Sequence, residues 1–157
     1  MEIQRNAYLQ QLIERKNNGM IKVITGIRRC GKSYLLFKLY YRYLVESGVD
    51  PSRILAVPLD DDEHEELRDS KLLGAYIKSR ISDEDMWYVF LDEVQLCRNF
   101  ETILNGLNRR ENVDLYRPTK SMKAITNPIG SSCSADRIFL SSLQACRITN
   151  QASYLQN

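Results

Sequence analysis

The stretch Val23–Leu36, VITGIRRCGKSYLL, decides the fold. It reads as an apolar, β-branched run, then a loop bracketed by two glycines and holding three cations, then the start of an apolar helix. A turn from strand to helix does not need three cations. Gly26, Gly31, Lys32 and Ser33 satisfy the G-x-x-x-x-G-K-[ST] pattern of a phosphate-cradling loop, and the motif lies between a strand and a helix, as it must. Gly26 lets the chain turn sharply as it leaves the strand. Gly31 lets backbone N–H groups approach a phosphate with no Cβ in the way. The free N–H groups of the following helix add positive potential. Lys32 is placed to reach the β- and γ-phosphates, and Ser33 Oγ to bind Mg²⁺, a hard cation that takes oxygen ligands. The nucleotide-binding candidates are thus Gly26, Ile27, Arg28, Arg29, Cys30, Gly31, Lys32, Ser33 and Tyr34. Arg28 and Arg29 are not required by the pattern; they either stabilise phosphate or partner charge or are solvated loop cations. Cys30 reads as a tolerated small residue.

Outward from the loop, strands alternate with helices. Ile3, Ala7, Leu12 and Ile13, with Tyr8 and Leu9, fit one face of a helix over about 3–16, ended by the turn formers KNNG. IKVIT (21–25) is the first strand. Leu35, Leu36, Leu39, Tyr40, Tyr43 and Leu44 form one stripe of a helix stopped by Gly48. RILAVPL (53–59) is a second strand whose Pro58 marks its end. DDDEHEE (60–66) reads as a solvated loop. A helix follows over 69–81, with Leu72, Leu73, Tyr76, Ile77 and Ile81 inward. MWYVFL (86–91) suits a strand buried on both faces. Asn99 is placed to cap a helix that buries Phe100, Ile103, Leu104 and Leu107. VDLY (113–116) opens another strand. The pattern predicts a parallel sheet covered on both sides.

The buried strand ends in LDEVQ. Asp92 and Glu93 therefore sit at the C-terminal edge of the sheet, where open α/β folds bind ligands. Asp92 fits a carboxylate that holds Mg²⁺ directly or through water, and Glu93 fits a base that polarises the attacking water. A pair of acids capping the next helix is the plain alternative; the phosphate loop upstream outweighs it. A GTPase is expected to carry N-K-x-D and D-x-x-G motifs, and neither follows. A small-molecule kinase wants an arginine-rich lid, and only Arg98, Arg109 and Arg110 are on offer. ATP hydrolysis, with Glu93 and Lys32 as the catalytic pair, is the expected chemistry.

Composition narrows the class. At 157 residues the chain is one domain, or one domain with a tail. A formal net charge of +2 argues against a general nucleic-acid binder. The charged opening MEIQRNAYLQQLIERK has no apolar core of a signal peptide, and MWYVFL is too short to span a bilayer. The expectation is a cytoplasmic protein with no membrane partner. Cys30, Cys97, Cys133 and Cys146 show no C-x-x-C spacing and His64 is the sole histidine, which argues against a zinc site and for free thiols.

KVITGIRRCGKSYLL, LDEVQ and the leading RNAYLQQL helix together resemble a family of prokaryotic AAA-type ATP-binding proteins, in which the ATPase core precedes a separate C-terminal domain. The likeness covers residues 1–116. It implies a P-loop NTPase core of the additional-strand type, a three-layer αβα sandwich with a parallel sheet in the order 5-1-4-3-2. It also implies ATP as the nucleotide, Gly26 through Ser33 as the phosphate loop, Ser33 and Asp92 as Mg²⁺ ligands and Glu93 as the base. An unknown protein or nucleic-acid partner, and a homo-oligomer of the full-length family, come with it.

The chain departs from that family after VDLY. Where the family ends its fourth strand in a polar sensor, this chain reads VDLYRPTKSMKAITNPIG. Pro118 is then expected to break a central strand, since it removes a ladder hydrogen bond. From Arg117 to Asn157 there are five basic residues and one acid, Asp136, against 17 basic and 19 acidic before. Serine becomes abundant, and RIFLSSL (137–143) alone resembles a strand. Residues 117–157 thus read as an atypical Ser-rich basic tail, either the product of a shifted or truncated reading frame or a disordered or divergent native tail, and the core reads as incomplete at its C-terminal end. Two functions stay open: an Mg²⁺-dependent ATPase acting on a macromolecule, and a truncated nucleotide-binding remnant with little or no turnover. A nucleic-acid-handling ATPase lacks the basic-aromatic stripe expected of it.

Overall fold

The computed structural model describes residues 3–26, 29–119 and 147–151. Helix α1 (Ile3–Glu14) leads through a turn, with Asn17 and Gly19 at positive φ, into β1 (Ile21–Thr25). The phosphate loop opens the compound helix α2, made of Lys32–Tyr34, a π-helical stretch Leu35–Tyr40, and Tyr41–Glu46. Gly48, at φ 97°, follows its end, the left-handed conformation that glycine adopts without penalty. Then come β2 (Ile54–Pro58), a 3₁₀ segment (Asp62–Arg68), α3 (Ser70–Arg80), β3 (Trp87–Asp92), α4 (Phe100–Asn108), β4 (Val113–Thr119) and β5 (Arg147–Gln151).

The strands form one sheet in the order β2-β3-β4-β1-β5. Read from the other side this is 5-1-4-3-2, the order the resemblance implies. β1 to β4 pair parallel, with Val89 opposite Leu115 and Lys22 opposite Tyr116. β5 differs from the expectation of an all-parallel sheet: it lies antiparallel to β1, with Val23 opposite Thr149. The strand position expected to be lost is therefore filled, with reversed direction. RIFLSSL lies outside the described residues.

Alternation along the strands splits the core into two layers. Val23, Val57, Val89, Leu91 and Leu115 pack with Leu73 and Ile77 of α3 and Leu104 and Leu107 of α4. Ile24, Ile54, Tyr88, Phe90 and Tyr116 pack with Leu12 of α1 and Leu36, Tyr40 and Leu44 of α2. β3 is buried at every position, which is why it reads as an unbroken apolar run. Leu72, expected inward, is instead exposed on α3; the neighbouring Leu73 and Ile77 already fill that face. Asn99 does precede α4, but at φ 55° and without a side-chain capping bond.

The helix after the loop is not uniformly α. Tyr41 N–H reaches back to Leu36 O, a π-type bond. The wider turn sets Leu35, Leu36 and Tyr40 together on the buried side. Tyr40 OH meets Tyr116 OH at 2.5 Å. Tyr116 OH in turn donates to Asp114, which accepts from the Lys22 ammonium and, at 3.0 Å, from Asn17 N–H. This buried network ties α2, β1 and β4 together beneath the phosphate loop.

Pro118 does not break β4. The strand runs past residue 116, to Thr119, with Pro118 opposite Ile24 of β1 and Thr119 opposite Thr25. The physical reason lies in the neighbour on the other side. Pairing between β3 and β4 ends at Phe90 and Tyr116, so Pro118 sits where β4 has one partner strand rather than two, the situation in which a strand tolerates proline. Arg117 is the costlier residue. It is 1% exposed, its guanidinium lies 5.4 Å from the centre of the Phe100 ring, and its Nε has no hydrogen-bond partner among the described residues.

Candidate functional site

β1 delivers the chain to Gly26 at the C-terminal edge of the sheet, and α2 leaves from Lys32. Between them Gly31 takes φ 91°, ψ 21°, a conformation that a Cβ penalises. Arg29 also lies at positive φ, 65°, with its side chain exposed. Ile27 and Arg28 lie outside the described residues. Lys32 is buried, and its ammonium turns back into the loop, donating to Gly26 O at 2.8 Å and lying 3.7 Å from Cys30 Sγ. A lysine curled back on its own loop holds a positive charge beside the Gly26 carbonyl and the Cys30 thiol. Tyr34, next along the helix, is exposed.

Ser33 and Asp92 come from segments 59 residues apart, and the fold brings them together: Ser33 Oγ donates to Asp92 Oδ2 at 2.7 Å. The other oxygen of Asp92 accepts from Glu93 N–H at 3.0 Å. Asp92 is nearly buried. Burial pushes its carboxyl above the usual carboxylate range, the Ser33 hydrogen bond opposes that, and the charges of Glu93 and Asp60 push further up. Glu93 adopts a left-handed backbone, φ 51°, at the start of a 3₁₀ turn (Val94–Leu96), and its carboxylate accepts from the Gln95 amide. A non-glycine residue held at positive φ at a strand end is over-determined by its surroundings, which is common at functional sites.

The donor set fits a magnesium ion. A hydroxyl and a carboxylate are hard oxygen donors, and two of them at hydrogen-bond distance can both turn to one cation. No group of three or more His, Cys, Asp or Glu with metal-holding geometry occurs among the described residues. Magnesium keeps waters and takes one or two protein ligands beside substrate phosphates. Cys30 and Cys97 are free thiols; Cys133 and Cys146 lie outside the described residues.

Asp60, read in the sequence as part of a solvated acidic run, is exposed in the turn after β2. An open depression lined by Glu84, Met86, Arg110, Glu111 and Asn112 lies at the opposite, N-terminal edge of the strands, away from Asp92. No described helix is long and apolar enough to cross a membrane.

With that geometry in view, the relatives are informative. An uncharacterized protein of Haemophilus influenzae is 35% identical over 114 residues, covering 72% of this chain. The uncharacterized protein MJ1544 of Methanocaldococcus jannaschii is 25% identical over 116 residues, covering 71%. The chain spans 28% and 24% of those relatives' own lengths. Among solved structures, a chain from the structure of Drosophila ORC bound to DNA superposes with a TM-score of 0.50 at 16% identity, covering 75% of this chain and 77% of that one, a likeness of fold. The AAA domain matches residues 18–143, which include the loop, LDEVQ and all of β4. The chain belongs to the AAA domain family, a nucleotide-binding domain of ATPase type.

Proposed function

We propose that this chain binds ATP with Mg²⁺ at the C-terminal edge of the sheet and hydrolyses it, coupling the nucleotide state to a protein or nucleic-acid partner. The observation that carries the reading is the 2.7 Å bond from Ser33 Oγ to Asp92 Oδ2, which joins the phosphate loop to the acidic strand end. Ser33 Oγ and Asp92 would hold the Mg²⁺ ion in place of their mutual hydrogen bond, and the ion would supply charge neutralisation at the phosphates. Lys32 leaves Gly26 O and donates to the β- and γ-phosphates. Glu93 takes a proton from water as the water oxygen attacks the γ-phosphorus, and the bond from that phosphorus to the β–γ bridging oxygen breaks to release ADP. Gln95 holds the Glu93 carboxylate in place until the nucleotide is seated.

Binding of a fluorescent ATP analogue, followed by phosphate release, tests both halves. Lys32→Ala is expected to weaken binding at least tenfold, and equal affinity would remove the loop from the site. Glu93→Gln is expected to keep binding and lose turnover by about a hundredfold or more. An unchanged rate would remove Glu93 from the chemistry.

A second reading, nucleotide binding with little turnover, is favoured by one observation. At the end of β4, beside the phosphate loop, Arg117 and Pro118 occupy the approach to the sensor position, and the strand's last residue, Thr119, lies opposite Thr25. Phosphoryl transfer needs stabilisation from several directions, and each missing element is costly. Tight ATP binding with a rate that Glu93→Gln leaves unmoved near background would support this reading.

A further inference from the structure

Two polar contacts fasten α2 to the face of the sheet that it covers. In its first turn, Ser33 Oγ donates to Asp92 Oδ2 at 2.7 Å. About two turns further along the helix, Tyr40 OH meets Tyr116 OH at 2.5 Å. Tyr88 and Phe90 of β3 lie in the layer under α2, and Asp92, which ends that strand, shares their face by alternation. Phe90 is the register partner of Tyr116. The two fastenings therefore stand one beyond the other on neighbouring strands. The stretch that ends in Tyr40, Leu35–Tyr40, is the π-helical part of α2.

The direction of each proton follows from the acceptors. A carboxylate only accepts, so Tyr116 gives its single hydroxyl proton to Asp114. The proton shared by the two phenols therefore belongs to Tyr40. Asp114 also accepts from the Lys22 ammonium and, at 3.0 Å, from Asn17 N–H. Lys22 has no exposed surface, and separating it from its carboxylate would strand a buried charge. Tyr40 is thus tied, through Tyr116, to the ion pair that moves least readily.

That tie acts on the register of α2. Tyr41 N–H bonds to Leu36 O across a turn one residue wider than an α turn, a form that is rare and recurs at functional sites. A slip of one residue would rotate the upstream part of the helix by about 100° and shift it by about 1.5 Å. Ser33 Oγ would then leave Asp92, and Lys32 would leave Gly26 O, its partner at 2.8 Å. Apolar packing is a poor guard against such a slip, because the adjacent Leu35 and Leu36 are both buried and similar apolar side chains replace one another at small cost. A satisfied polar network is directional and specifies one arrangement.

We propose that Tyr40 is a positioning residue for the phosphate loop: its hydroxyl, held by Tyr116, fixes the register of α2 in which Lys32 and Ser33 face the nucleotide. This rests on the reading of Lys32 and Ser33 as nucleotide-binding residues.

The test is binding of a fluorescent ATP analogue with Mg²⁺ to the full chain in the absence of denaturant, where a modest loss of stability does not register. Tyr40→Phe keeps the ring and its contacts with Tyr43 and Phe90, and it strands no donor, since Tyr116 still bonds Asp114. It is expected to weaken binding about three- to tenfold, one neutral hydrogen bond being all that is lost, and to speed hydrogen exchange at the Tyr41 amide. Tyr116→Phe leaves the Tyr40 proton without its acceptor. It is expected to weaken binding at least as much and to lower the unfolding midpoint further. The double variant is expected to bind no worse than Tyr116→Phe alone, because the two hydroxyls act through one bond. Ser47→Ala removes a 2.8 Å bond to Leu44 O at the far end of α2 and is expected to bind as the parent chain does. Parent-like affinity in Tyr40→Phe, an equal loss in Ser47→Ala, or losses that add in the double variant overturn the proposal. If instead Lys32→Ala binds nucleotide as well as the parent chain, the reading of the loop itself has failed, and the role of Tyr40 with it.

Discussion

Asp92 shows how the site is poised at the level of a single residue. Its carboxyl lies above the usual range, chiefly through burial, and Glu93 and Asp60 add like charge. A carboxylate whose folded pKa is raised costs the fold stability at every pH above that pKa. The cost grows as pH rises from the unfolded value, about 3.9, to the folded one, and vanishes below both. Asp92→Asn removes the charge while the amide oxygen can still accept from Glu93 N–H and the amide NH₂ donate to Ser33 Oγ. The nucleotide-free variant is therefore expected to be more stable by about 0.5–1 kcal/mol at pH 7. The gain should disappear at acid pH, and Mg²⁺-dependent nucleotide binding should be lost. Urea unfolding at pH 7 and at pH 3.5 checks this; a variant destabilised at pH 7 contradicts it.

Among the elements, β4 carries the most consequence. It lies between the strand that feeds the phosphate loop and the strand that ends in Asp92. Its Asp114 neutralises Lys22, a lysine of β1 with no exposed surface. Burial lowers the Lys22 pKa and Asp114 opposes that, so the ammonium depends on one carboxylate. Asp114→Ala strands it and also frees Asn17 N–H and Tyr116 OH. The expected loss is about 3–5 kcal/mol, read by chemical denaturation. Lys22→Met combined with Asp114→Leu should cost clearly less than Asp114→Ala alone, because no charge is left buried. At the other end of β4, Arg117 has the opposite sign. Burial lowers its pKa, with Glu101 in partial compensation, and ring contact with Phe100 is a weak substitute for a carboxylate. Arg117→Met is expected to stabilise the protein by about 1–2 kcal/mol. A destabilised Arg117→Met would mean that the guanidinium has a partner beyond the described residues.

On the scale of the whole molecule, the two core layers meet through the sheet, and the described functional candidates sit at one of its edges. The acids and the phosphate loop share the C-terminal edge because parallel strands all end there, each followed by a turn toward a helix. The N-terminal edge instead carries an ion-pair clamp, with Arg53 bonded to Asp83 at 2.9 Å and to Asp85 at 2.7 Å. That division separates stability from chemistry: removing Arg53 should lower stability slightly without touching nucleotide affinity, since exposed pairs contribute little.

Much of this was legible before any coordinates. The alternation of apolar strands with striped helices, the spacing of Gly26, Gly31, Lys32 and Ser33, and the Asp92–Glu93 strand end are local patterns. They depend on backbone period and residue type alone, and they specified an α/β sheet with a glycine-bracketed basic loop between its first strand and the next helix. Pairing was a different matter. Proline in β4 was expected to break the strand, but the effect of Pro118 depends on whether β3 reaches that far, and β3 stops pairing at Tyr116. The direction of β5 was likewise hidden, because strand direction is set by partners and not by the strand's own residues. Sequence alone thus determined the elements and the chemical identity of the loop. Tertiary structure decided which side chains share a face, because hydrogen-bond register and strand order are properties of pairs of segments far apart in the chain.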